Sequence, residues 1–494
     1  MTAVKKYIAT ETTQEAIRGL VADIKNSMIS GGGNGTMPHI TVTAPTGCTV
    51  TATSGSTTIT ATETSGVYQF NVPHLGDWVV SCTKDGHTGT RTVHVVAVAE
   101  YSVKMSYGHR YGYRIKKSEG NPSARVEYLF DAVGMTPAKM NFTSGQFDYG
   151  SWGDKWFVTD NKPCMMKPDG TVDYYLDPDD YDLKEDGTAS DVSNTSYNGN
   201  AMALIPLCWV KRYEEDGYEY EIVSDVQYDS DYKAYAHTRA DGSLADWFAW
   251  SMFGGSGSAT KIRSLAGQTL AQSLTAEQEI AGCRANGSNW YTHTWSQREL
   301  IRTLCVLMGK STDTQSVFGN GNCRSATAAS GMLATGTLKN MGQFYGYNDS
   351  THQVKVFHIE KFWGDQWDRT AGVINSGGKI YVKMTAEGSG YRITDTTGYH
   401  NTGITMSGTN GGYISSAVCS EYGIVPSVVS GSGTTLYCDG SWFNNSQLDY
   451  LIAGAGAADA SAVGGAFAFS VYDAPSSANW NGGCGLSCEQ PSAA

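Results

Sequence analysis

The sequence of 494 residues predicts a multidomain α+β protein. Three observations carry that class. A capped amphipathic helix near the N-terminus runs into a glycine-rich hinge. Residues 38–104 alternate polar and apolar with a period of two. Beyond residue 126, two capped helices are embedded in a long run of short aromatic strands and glycine-rich loops, instead of alternating with strands as an α/β chain would. The length exceeds what one ordinary core serves, so separate domains are expected. The reading is 1–36 helix and hinge, 37–104 a small β domain, 105–125 a connector and 126–494 a large C-terminal domain.

Over residues 12–28, Ile17, Leu20, Val21, Ile24 and Met28 form one stripe at helical spacing. Thr12 and Glu15 supply a capping box. A stripe this narrow suits packing on the next domain or zipping against copies of the same helix. The hinge is Ser30-Gly31-Gly32-Gly33-Asn34-Gly35. The alternating segments that follow (HITVTA, CTVTATS, TTITATE, VYQFNV, DWVVSCTK, RTVHVVAV) are separated by turn signals such as Pro45-Thr46-Gly47 and Ser65-Gly66. Short strands at this spacing predict a β-sandwich, immunoglobulin-like in the broad sense. Cys48 and Cys82 could bridge two of its strands, with free buried thiols the expected state.

In the large domain, Thr275 and Gln278 open a helix that runs to about Cys283. A second helix is expected with Ser296 as cap, Glu299 closing the box, Trp295 stapling onto Leu300, and Gly309 as the stop. Leu300, Ile301, Leu304 and Leu307 form its buried stripe. The acidic run at 177–186 lacks the central glycine of a calcium loop and is interrupted by Pro178, so it reads as a solvated loop. Residues 438–488 crowd Trp442, Phe443, Tyr450, Phe467, Phe469, Tyr472 and Trp480 among small polar residues. Phe467, Phe469 and Val471 alternate as in a half-buried strand, and 473–477 carries turn chemistry.

The net charge of −13 disfavours nucleic acid, whose phosphates it would repel. No apolar run is long enough to span a bilayer, and no apolar stretch follows Lys5 and Lys6 as a secretory leader requires. Eleven scattered cysteines without C-x-x-C spacing match neither a disulfide scaffold nor a zinc site, and suit synthesis in a reducing cytosol. No nucleophile elbow, zinc-protease helix or phosphate loop is present. No cofactor, metal or catalytic residue is expected.

Three segments resemble motifs of the C-type-lectin-fold superfamily, in the branch of formylglycine-generating enzymes and the variable proteins of diversity-generating retroelements. They are Glu360-Lys361-Phe362-Trp363-Gly364-Asp365-Gln366-Trp367, then Gly440-Ser441-Trp442, then Ala474-Pro475-Ser476-Ser477-Ala478-Asn479-Trp480-Asn481-Gly482-Gly483. The resemblance implies a C-type-lectin-fold domain over 126–494 with a variable, ligand-binding region at about 440–488. It places a rigid frame on Trp363, Trp367, Trp442 and Trp480. It places the binding face on Phe443, Asn444, Asn445, Phe469, Val471, Tyr472, Ser477, Ala478, Asn481 and Cys484, the last standing where relatives carry arginine. By strand parity Tyr472 faces away from Phe469 and Val471, so these residues do not all share one side.

With a softer likeness of residues 126–209 to phage tail fibres, the implied function is a receptor-binding protein at a fibre tip. It would be made in the bacterial cytoplasm and carried on the virion as a homotrimer, held to other tail proteins by its N-terminus. Its partner would be a host-surface glycan or protein. A bacterial adhesin of the same fold is the main alternative. A copper oxidase using Cys438 with Cys484 or Cys488, and a fibre glycosidase, are more distant ones, since the arginine-rich cysteine motif and any recognisable carboxylate pair are missing.

Overall fold

The computed structural model describes residues 37–84, 87–435, 437–460 and 463–492. They form two compact units: residues up to His109 with Ser224–Asp229, and Arg110–Val223 with Ser230 onward. The helix expected over residues 12–28 lies outside the described residues.

In the first unit the alternating segments pair into two four-stranded sheets. One runs Thr62–Thr64, Val67–Asn71, His39–Thr43, Glu100–Lys104, and the other Thr57–Thr60, Thr49–Ser54, Gly76–Lys84, His87–Val95. Every second residue turns inward, so Ile40, Val42, Val50, Ala52, Tyr68, Phe70, Trp78 and Val80 make one apolar core. Cys48 and Cys82 are both buried and free.

The second unit is built on sheets too. Arg110–Lys116, within the stretch read as a connector, is an inner strand of a four-stranded sheet ordered Val126–Phe130, Arg110–Lys116, Tyr218–Ser224, Trp209–Glu215. A six-stranded sheet runs Val172–Tyr175, Lys162–Met166, Asn200–Pro206, Trp247–Ser251, Leu486–Glu489, Trp290–Thr292. The largest sheet contains Trp367–Ser376, Leu448–Ala453, Phe469–Val471, Gly440–Phe443 and Gly411–Ser420 as consecutive neighbours.

These sheets overturn the α+β expectation: strands make up 40% of the described residues against 9% helix. The described helices, Trp156–Thr159, Ala276–Arg284, Trp295–Gly309 and Thr314–Phe318, do not make a layer of their own. The best-marked one, Trp295–Gly309, is buried at every residue and acts as a strut touching strands of different sheets. Strong caps mark where a helix starts, but how much of a long glycine-rich chain pairs into sheet is settled by non-local hydrogen bonds.

The capping box of Thr275 and Gln278 is present at Ala276–Arg284. The second helix differs from expectation. Thr294 is its N-cap and Ser296 lies inside it. Trp295 does not staple onto Leu300: its indole N–H donates to Tyr422 O (2.7 Å) and its ring meets the edge of Phe469. Gly309 is still helical, and Lys310 takes the left-handed turn at φ 49°. Glu299 is free to pair elsewhere, its Oε2 accepting from the Ile424 N–H (2.8 Å) and its Oε1 from Arg302 Nε (2.8 Å).

Buried carboxylates make the fold sensitive to pH, Glu219 among them. Glu219, on Tyr218–Ser224, accepts the Tyr437 hydroxyl at Oε2, while Oε1 has no hydrogen-bond partner among the described residues. Burial lifts it from the ordinary 4.5 to about 7. The native state therefore keeps a proton that the unfolded chain releases. This contribution is fully present below about pH 4.5 and is lost as pH rises through about 7, on the order of 3 kcal/mol. Chemical denaturation should show stability falling between about pH 4.5 and 7, and Glu219→Gln should make that limb shallower, leaving the share of Glu279, Glu360 and Asp449, which burial raises likewise.

Candidate functional site

The sheet register assembles a cleft at the C-terminal region. Arg369 lies opposite Ile452, Ile452 opposite Ser470, and Ser470 opposite Trp442, one row across four neighbouring strands. Residues in such a row share a side of the sheet. Trp367, Asp459, Tyr472, Asp473, Ser477, Asn479 and Asn481 complete a cleft of about 150 Å³. The Trp367 and Trp442 rings meet edge to face at 5.5 Å. A Cβ on Gly411 or Gly440 would stand 2.5 or 2.7 Å from the Trp442 indole, so both neighbours must be glycine for this ring to lie where it does. Tyr472 is 43% exposed and stands beside this pair at the mouth.

Hydrogen bonds hold the rim. The Trp367 N–H donates to Asn481 O (2.9 Å), and Gln366 Nε2 donates to Trp480 O (3.2 Å) and Gly482 O (3.0 Å). Arg369 pairs with Glu279 (2.6 Å) and donates to Ser477 O (3.1 Å), while the Ser477 N–H closes a turn on Ala474 O (2.9 Å). Deeper, Asp365 accepts from Asn322, Gln353 and the Leu333 N–H, tying three loops to one carboxylate. Aromatic faces beside fixed carboxylate, amide and hydroxyl groups suit a ligand with apolar ring faces and several hydroxyls.

Of the expected binding face, Tyr472, Ser477 and Asn481 line this cleft. Ala478 is exposed between two lining residues. Asn444 and Asn445 sit apart, at the turn after Gly440–Phe443. Asn444 Oδ1 accepts the Ser446 N–H (2.9 Å), and Asn445 Nδ2 donates to Met406 O (3.3 Å). Phe443, Phe469, Val471 and Cys484 are corrections. The first three turn to the opposite side of the sheet from Trp442 and Ser470, into an apolar core with Leu451 and Val373. Cys484 is buried against Cys283, their sulfurs 3.9 Å apart. In the expected frame, Trp363 is buried and donates to Gly319 O (3.0 Å), Trp367 and Trp442 wall the cleft, and half-buried Trp480 contributes its carbonyl.

Arg369, Ser470, Asp459, Asp473 and Asn479 also line the cleft, and no sequence motif marks them as binding residues. The signal available for Ser470 was strand parity: if Phe469 and Val471 point inward, the residue between them points to the other side.

A second constellation invites a catalytic reading. His293 Nε2 lies 3.0 Å from Ser251 Oγ, and its Nδ1 lies 2.6 Å from Asp368 Oδ2. That is the geometry of a serine-hydrolase relay. Ser251 is 1% exposed, however, its Oγ accepts the Leu486 N–H (3.2 Å), and none of the described cavities is lined by it. The His293 ring is stacked on Trp250 at 3.5 Å. Burial raises Asp368, but the His293, Lys361 and Arg298 charges outweigh it and hold the carboxyl down at about 2. The group ties Trp247–Ser251, Trp367–Ser376 and the C-terminal strand together through the interior. Among the described residues no cluster of three or more His, Cys, Asp or Glu side chains is placed to hold a metal ion.

No protein-family model matches the chain, and no curated protein matches it.

Proposed function

We propose that this chain is a phage receptor-binding protein, carried at a tail-fibre tip, that attaches the virion to a host-surface ligand through the Trp367–Trp442–Tyr472 cleft. The observation that carries the reading is the cleft itself, an aromatic surface with a hydrogen-bonded rim within the region whose motifs resemble retroelement variable proteins. The ligand class best suited to it is a glycan, with sugar ring faces on Trp442 and Tyr472 and hydroxyls on Asp459, Asp473, Asn479 and Asn481. In this reading the chain assembles as a trimer through its N-terminal segment, so modest single-site affinity sums to firm attachment.

The test is adsorption of the full-length protein to host cells. Tyr472→Ala with Asn479→Ala should reduce binding at least about 10-fold, as loss of an aromatic anchor does, with an unchanged denaturation midpoint. Asn445→Ala, outside the cleft, should bind normally. Unchanged adsorption by the folded double variant would end the proposal.

A further inference from the structure

A second cavity, of about 140 Å³, opens beside the N-terminal end of the helix Trp295–Gly309 and shares no residue with the cleft. Its walls include Tyr291 and Tyr391, ring centroids 5.7 Å apart, with Arg284 over the Tyr291 ring at 4.9 Å. His237 and Gln297 also line it.

Hydrogen bonding leaves these polar groups as donors. His237 is 2% exposed, and the Cys208 backbone N–H donates to its Nε2 (3.3 Å). A ring that accepts at Nε2 and is neutral carries its proton on Nδ1. Burial drives His237 down to about 3, so the ring is neutral. That Nδ1–H has no hydrogen-bond partner among the described residues. Gln297, equally enclosed, takes the Ser487 hydroxyl on its Oε1 (2.8 Å), which leaves its amide hydrogens pointing to no protein acceptor among the described residues. Thr294 stands at the N-cap without its hydroxyl closing on the first turn, so the positive end of the helix adds to the same side.

An acceptor is what is missing. Glu489 is the one carboxylate on the lining, and it is turned to the Ala240 N–H (3.4 Å). No lysine lines the cavity, and its arginines are Arg284, exposed above Tyr291, and Arg239, bonded to Gln490. A phosphate dianion would ask for more cationic charge than this, whereas a carboxylate monoanion is satisfied by neutral donors plus one rim guanidinium. The paired tyrosines suit a ring-shaped body attached to it.

We infer that this cavity binds the carboxylate of an acidic sugar, held by His237 Nδ1–H, the Gln297 amide and the helix end, with the sugar ring against Tyr291 and Tyr391. The site is distinct from the proposed receptor cleft and does not depend on it.

Calorimetric titration of the full chain tests this with glucuronate, galacturonate and N-acetylneuraminate against glucose, inorganic phosphate and a free amino acid. At least one sugar acid should saturate one site per chain, with glucose about 10-fold weaker or more, because a charged hydrogen-bonding partner is lost. Gln297→Glu, nearly isosteric but of like charge, should abolish sugar-acid binding in a chain that is less stable but still folded at the titration temperature. His237→Phe should weaken it about 10-fold or more, and Tyr472→Ala in the cleft should leave it unchanged. Equal binding of glucose and glucuronate, tighter binding of phosphate or the amino acid, absence of saturable sugar-acid binding, or full binding by a folded Gln297→Glu variant would each overturn the assignment.

Discussion

Arg302→Met should destabilise the protein by about 3–5 kcal/mol, the cost of leaving buried carboxylates without their cation. Arg302 lies on the long helix and is fully enclosed. Its guanidinium donates to both oxygens of Glu221 (2.7 and 2.6 Å) and both of Glu299 (2.8 and 2.9 Å). Glu221 is also held by Arg212 Nε (2.6 Å) and by the Tyr113 hydroxyl, and Arg212 donates onward to Thr303 Oγ1 (2.9 Å). The network thereby locks the helix to Arg110–Lys116, Trp209–Glu215 and Tyr218–Ser224, and through Glu299 to Gly423–Val429. Denaturant titration followed by tryptophan fluorescence measures the loss. Arg302→Lys should recover only part of it, because a single ammonium cannot span two carboxylates as a planar fork does. A midpoint unchanged in Arg302→Met would show that the network is not holding the helix.

Asp368→Ala should cost a similar amount, about 3–5 kcal/mol. It removes the counter-charge of Lys361 (3.7 Å) and Arg298 (3.9 Å) and the acceptor that orients His293 (2.6 Å). Ser251→Ala should cost only about 1–2 kcal/mol, from the Leu486 N–H left unpaired. The pair of variants separates architecture from chemistry. If the relay-like geometry were catalytic, Ser251→Ala would abolish hydrolysis of a small ester such as p-nitrophenyl acetate; the enclosed serine predicts that any such activity stays unchanged.

Features written in short stretches of sequence were legible. The Thr275–Gln278 capping box is local, and so is the alternation that fills the core of the first unit with Ile40, Val42, Tyr68, Phe70 and Trp78. The overall class was not. Two clear helix starts suggest a helical layer, while the strands that join the sheets of the second unit into one body pair with segments far away in the chain. Pairing such as Ala249 with Cys488 leaves no local mark.

The site divides along the same line. Alternation alone determined that Phe469 and Val471 share one side and Tyr472 the other, because successive side chains of a strand point oppositely. Which side is covered was decided only by the tertiary structure, where a core containing Phe443, Leu451 and Val373 closes over the first two. The register of four strands then brings Arg369, Ile452, Ser470 and Trp442 into one row on the other side, at the floor of the cleft, where the first three are buried and Trp442 is partly exposed. Side-chain parity is a property of the backbone within a strand and can be read from order. Burial is a property of whatever packs against that strand, and distant segments supply it.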